Sequence, residues 1–139
     1  MNADIPFIEK KFEEFNKLMF AGELHKLPIE QSNAKTFPGQ CVFKIRRLTN
    51  GKTEKYDFRL RINTRIDLPE QELEDTIIHE LIHYYLAFFD MNDKTSHGEN
   101  FKRMMKDINA RFGRHVSISY KPPKNGEDVS KYRFAIVRD

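Results

Sequence analysis

Residues 79 to 83 read His79-Glu80-Leu81-Ile82-His83. On a helix, His79 and His83 stand one turn apart on the same face, so two imidazole nitrogens can converge on one divalent metal ion. Glu80 sits beside them and is not needed as a ligand. A carboxylate next to a metal-bound water can take that water's proton, which makes Glu80 a general base and the chemistry a metal-assisted hydrolysis. Two surface histidines on an ordinary helix would require neither an apolar setting nor a further ligand downstream. The sequence supplies both.

A catalytic zinc is usually held by three protein ligands, with a fourth position open. Beyond the first pair, residues 90 to 96 form a polar loop, and His97 follows in what reads as the first turn of another helix. His97 is the candidate third ligand. Glu99, Asp93 and Asp90 remain carboxylate alternatives, although Glu99 has capping-box spacing from Ser96. His25 and His115 lie in less constrained contexts and are read as surface residues. Asp75, one turn before His79, could accept a hydrogen bond from its non-ligating nitrogen, but an Asp near a helix start is usually exposed. It is left outside the site. The metzincin pattern would require Gly at 86 and His at 89, and the chain has Leu86 and Phe89.

These residues need rigid support. Asp67, Glu70 and Pro69 signal a helix start, and Leu73, Ile77, Leu81, Ile82, Tyr85, Leu86 and Phe89 make the helix to about residue 89 apolar over much of its surface. The second helix carries Phe101, Met104, Met105, Ile108 and Phe112 and stops at Gly113. A first helix over 5–20 is capped by Asp4, striped by Ile8, Phe12, Phe15 and Met19, and ended by Gly22. Residues 27–30 read as a short strand. Cys41 to Arg46 and Tyr56 to Asn63 alternate in character on either side of Asn50-Gly51, which predicts a hairpin. Its polar face carries Lys44, Arg46, Arg59 and Arg61, with Arg47, Lys52, Lys55 and Arg65 nearby. That face is either a track for a phosphate backbone or a charged solvent surface. A basic tail with Lys121, Lys124, Lys131 and Arg133 adds little, and residues 132–137 alternate as a last strand.

The 139 residues carry a formal net charge of +3 and a single cysteine, Cys41. This length suits one domain with one core. One cysteine can form neither an internal disulfide nor a cysteine-built structural zinc site, which favours a reducing compartment. With no basic, apolar leader and no membrane-length apolar run, the expected setting is cytoplasmic, without a membrane partner. The modest charge permits nucleic acid without requiring it.

The pair H-E-L-I-H at 79–83 and His97-Gly98-Glu99-Asn100-Phe101 resembles the SprT-like (Spartan-type) metallopeptidase domain, where an HExxH helix is followed by an H-G-x-x-F segment. Phe15 to Leu24 is similar to the family's opening helix and the turn leaving it. The resemblance spans roughly residues 8 to 120. It implies Zn2+ bound by His79, His83 and His97, with Glu80 catalytic, and a protein substrate. Family members related to Spartan cleave proteins trapped covalently on DNA, so single-stranded or damaged DNA is an implied partner. Many SprT-like proteins continue into a cysteine-rich zinc ribbon that this sequence lacks, so the chain reads as a single domain over 1–139, either minimal or trimmed.

The expected fold is α+β: a zincin-like core with helices packed on a small antiparallel sheet. The expected function is metalloendopeptidase action by Glu80-assisted attack of zinc-bound water on a peptide carbonyl. An edge strand near the site could bind an extended substrate. No residue is assigned to the oxyanion, though Tyr84 and Tyr85 lie on the site helix. The alternatives are a nucleic-acid-binding module with a non-catalytic metal and a peptidase unconnected with DNA.

Overall fold

A computed structural model describes residues 4–32, 38–63, 67–118 and 135–138. The order of elements is α1 (Ile5–Met19), β1 (Ile29–Gln31), β2 (Gly39–Arg47), β3 (Thr53–Ile62), α2 (Glu70–Phe88), α3 (Glu99–Phe112) and β4 (Ala135–Arg138). The α+β arrangement is as expected. Its sheet differs from the antiparallel expectation, because strand order β1-β3-β2-β4 combines one antiparallel hairpin, β2 with β3, and parallel pairings at both flanks. Intervening chain lets β1 and β4 join in the parallel sense, which adjacent hairpin strands cannot do. Arg65, Lys121, Lys124, Lys131 and Arg133 lie outside the described residues.

Asp4 caps α1 by accepting from the Phe7 N–H at 2.8 Å, and the stripe Ile8, Phe12 and Phe15 is buried as the spacing predicts. After the helix, the Asn16 amide holds both backbone groups of Leu24, donating to its carbonyl at 2.9 Å and accepting from its N–H at 3.0 Å. The hairpin turns through Asn50-Gly51, with Gly51 at φ 83°. Strict alternation fails in β2, where Gly39 to Phe43 are buried and Lys44 to Arg47 are exposed. The inner half lies in the core. A bulge contributes too, for Asp57 adopts φ 54° where the register shifts between Val42 and Lys44.

α2 runs through the core, with Leu73, Ile77, Ile78, Leu81, Ile82 and Leu86 all buried. Its N-cap is Pro69, whose own side chain makes no capping bond. At α3 the cap comes from further back. Gly98 is the N-cap residue, and the Asp93 carboxylate accepts from the Asn100 and Phe101 N–H groups at 3.0 and 3.1 Å. Glu99, the expected partner of Ser96, instead faces solvent beside Arg103.

Candidate active site

His79 and His83 are 0% exposed and lie one turn apart on α2, as the five-residue spacing requires. His97 lies just before the α3 N-cap rather than in its first turn, and reaches back to the same point. The three Nε2 atoms form a triangle whose sides are each 3.2 Å. Tetrahedral ligands about 2.0–2.1 Å from a zinc ion stand about 3.3–3.4 Å from one another. The triangle therefore fits an ion of that size. Phe101 supplies the floor, its ring centroid 4.6 to 4.9 Å from those of all three imidazoles.

Burial keeps His79 and His83 neutral, the form a metal needs. Desolvation, with the neighbouring imidazoles, holds His79 well below the usual range and His83 down to about 3. The ring of His79 is also oriented. Its Nδ1 lies 2.7 Å from the backbone oxygen of Ser117. A carbonyl can only accept, so Nδ1 carries the proton and Nε2 keeps the lone pair that faces its neighbours.

Glu80 is 0% exposed, and neither carboxylate oxygen has a hydrogen-bond partner among the described residues. Desolvation pushes its pKa well above the ordinary carboxylate range. Gly39 at the start of β2 closes over it: a Cβ there would stand 3.0 Å from Glu80 Cγ and 3.2 Å from Oε2. An unpartnered carboxyl in a core costs stability. Together with three convergent imidazoles, it marks a site built to complete itself with something else.

The carboxylate alternatives have other work. Asp90 pairs with Lys55 at 2.9 Å, Asp93 caps α3, and Glu99 pairs with Arg103 at 3.1 Å. His25 and His115 are exposed, as expected. Asp75 is not the partner of His79; it lies 3.6 Å from Arg114. Tyr84 donates its hydroxyl to the His25 carbonyl at 2.9 Å, which accounts for it structurally. The expectation of an edge strand beside the site is not met by β2, which packs against Glu80 but lies between β3 and β4.

The polar face of the hairpin is less basic than its sequence. Lys44 pairs with Asp57 at 3.4 Å, Arg46 with Glu54 at 2.8 Å, Arg59 with Glu30 at 2.7 Å and Arg61 with Glu30 at 3.1 Å. Burial works to raise the Glu30 pKa, but hydrogen bonds from Arg61 and Arg59 outweigh it and hold Glu30 below its ordinary value. Sequence reading missed the Ser117 carbonyl, the Asp93 cap and the approach of Gly39. Only Gly39 left a signal, as a glycine after Pro38.

A sequence model of the SprT-like family matches residues 8–121. The chain belongs to the SprT-like family. It is 30% identical over 131 residues to the DNA-dependent metalloprotease SPRTN of Xenopus tropicalis, covering 92% of this chain and 28% of that protein. The SPRTN of Homo sapiens is 29% identical over 131 residues, covering 92% and 25%. The DNA-dependent metalloprotease dvc-1 of Caenorhabditis elegans is 30% identical over 115 residues, covering 81% and 30%. The chain thus spans between 25% and 30% of the length of these relatives. Among the described residues, no helix is long and apolar enough to cross a membrane.

Proposed function

We propose that this SprT-like chain is a zinc-dependent metalloendopeptidase domain that cuts proteins bound or crosslinked to DNA. The observation that carries the reading is the 3.2 Å triangle that His97 completes with His79 and His83, the latter two on the same buried turn of α2 as Glu80, whose carboxylate has no partner among the described residues. The three imidazoles would hold the ion through Nε2. Zinc bound there would supply a Lewis acid that polarises a peptide carbonyl and eases deprotonation of water.

Glu80 takes the proton of the attacking water and returns it to the leaving amine, a task suited to a carboxyl whose pKa burial has raised. Ser117 and Phe101 keep the imidazoles in their orientation, and the closed apolar surroundings keep bulk water from Glu80. The names of the relatives support a protein substrate and a part for DNA. A buried, unpaired Cys41 is compatible with a cytoplasmic setting, and residues 1–139 are taken as a single domain.

The ion pairs that Lys44, Arg46, Arg59 and Arg61 make on the outer hairpin face favour a second reading, a peptidase unconnected with DNA. One assay separates the two. A DNA-binding protein is incubated with the zinc-loaded chain, with and without single-stranded DNA, beside Glu80→Gln, and bound zinc is measured in both. Cleavage only with DNA, lost in a Glu80→Gln protein that retains zinc, is the expected result. Cleavage indifferent to DNA would leave the second reading, and stoichiometric zinc without cleavage in any condition would overturn both.

A further inference from the structure

We infer that Asn109 is a positioning residue for the metal site, acting through Ser117 on the imidazole of His79; the inference rests on the proposed metal site. The chain leaving α3 turns at Gly113, φ 63°, and runs back along α2. It is strapped to that helix at separate points. Arg114 reaches Glu74 at 2.9 Å, and the Ser117 carbonyl accepts from His79 Nδ1–H at 2.7 Å. Between those points the Asn109 amide grips Val116 by both backbone groups, donating to its carbonyl at 2.9 Å and accepting from its N–H at 2.9 Å.

An amide is suited to this because it offers a donor and an acceptor side by side. Gripping both groups of one residue sets where the strap lies along α2 and which carbonyl faces His79. A slip of one residue would bring the neighbouring peptide into that place with its carbonyl turned away. His79 could then take its proton on Nε2, the nitrogen a metal needs free. Asn109 touches neither the imidazoles nor Glu80 among the described contacts, and it was silent in the sequence because its partners are backbone atoms.

The molecule supplies its own control. Asn16 holds Leu24 by the same pair of bonds, at 2.9 and 3.0 Å, and the carbonyl that follows, that of His25, accepts from the Tyr84 hydroxyl rather than from a histidine ring. Asn109→Ala and Asn16→Ala are compared in the full chain by thermal melting, by zinc competition titration, and by the NMR signal and exchange rate of the His79 Nδ1 proton. Both variants are expected to lose thermal stability. Asn109→Ala alone lowers zinc affinity, about 10–100-fold as for other outer partners of metal-binding histidines, and speeds exchange of that proton.

Zinc affinity within twofold of wild type and an unchanged His79 signal in Asn109→Ala would overturn the inference and leave Asn109 as a strut like Asn16. Should Asn109→Ala not fold, Asn109→Asp keeps the acceptor for Val116 N–H and loses the donor. It is expected to move both readouts in the same direction, and no movement would overturn the inference. A wild type that binds no zinc would overturn the metal reading instead, and the His79 proton would still decide the link to Asn109.

Discussion

Glu80 is the residue whose surroundings make least sense without a reaction. Its folded pKa is raised above the unfolded value, so its contribution to stability is full below about pH 4.3 and is lost as pH rises toward the folded pKa. Metal-free Glu80→Gln should therefore melt above metal-free wild type at pH 8, with the gap closing toward pH 4; equal melting at both pH values would contradict the burial argument. His79 and His83 have the opposite sign. Their folded pKa values are depressed, so the metal-free protein loses stability as pH falls below about 6.5, where only the unfolded chain takes up their protons. Melting curves from pH 7.5 to 5 on Glu80→Gln isolate this slope. At this scale the sequence was most legible for His79, Glu80 and His83, because a helical period converts spacing directly into proximity. His97 needed the loop's path, which no period encodes.

At the scale of elements, the loop between α2 and α3 is fixed by close packing rather than by the capping box its sequence suggests. A Cβ on Gly98 would stand 2.5 Å from Asp93 Cβ, and Asp93 holds the first turn of α3. Gly98→Ala should cost about 1–3 kcal/mol in a denaturant titration and weaken zinc binding, since His97 precedes the clash directly. Gly39→Ala is milder. Its Cβ would press on Glu80 Cγ at 3.0 Å, so turnover should fall while bound zinc stays at the wild-type level. The helices were readable from their apolar stripes, and the hairpin from Asn50-Gly51. The parallel joining of β1 and β4 was not, because strand order depends on long-range partners that alternation does not name.

Across the whole molecule, the charged hairpin face shows how a basic sequence can fold into a balanced surface. Exposed pairs of this kind contribute only about 0–1 kcal/mol each to stability, but they compete with any phosphate for the same cations. If the face contacts DNA, Glu30→Gln, which releases Arg61 from its carboxylate partner and leaves Arg59 with Asp57 at 3.2 Å, should tighten binding to single-stranded DNA and steepen its salt dependence. Unchanged affinity and slope would remove that face from the DNA question. The triangle of imidazoles has a wider consequence. His83 and His97 are 14 residues apart in a chain with one cysteine, so an ion held between them would do the work of a crosslink that can be withdrawn. Its strength would depend on supply: with zinc as the proposed ion, the folded state would gain about 2.7 kcal/mol when free zinc is a hundred times the dissociation constant, and nothing when a chelator removes it. The heat resistance of this protein would then serve as a gauge of the zinc in its surroundings.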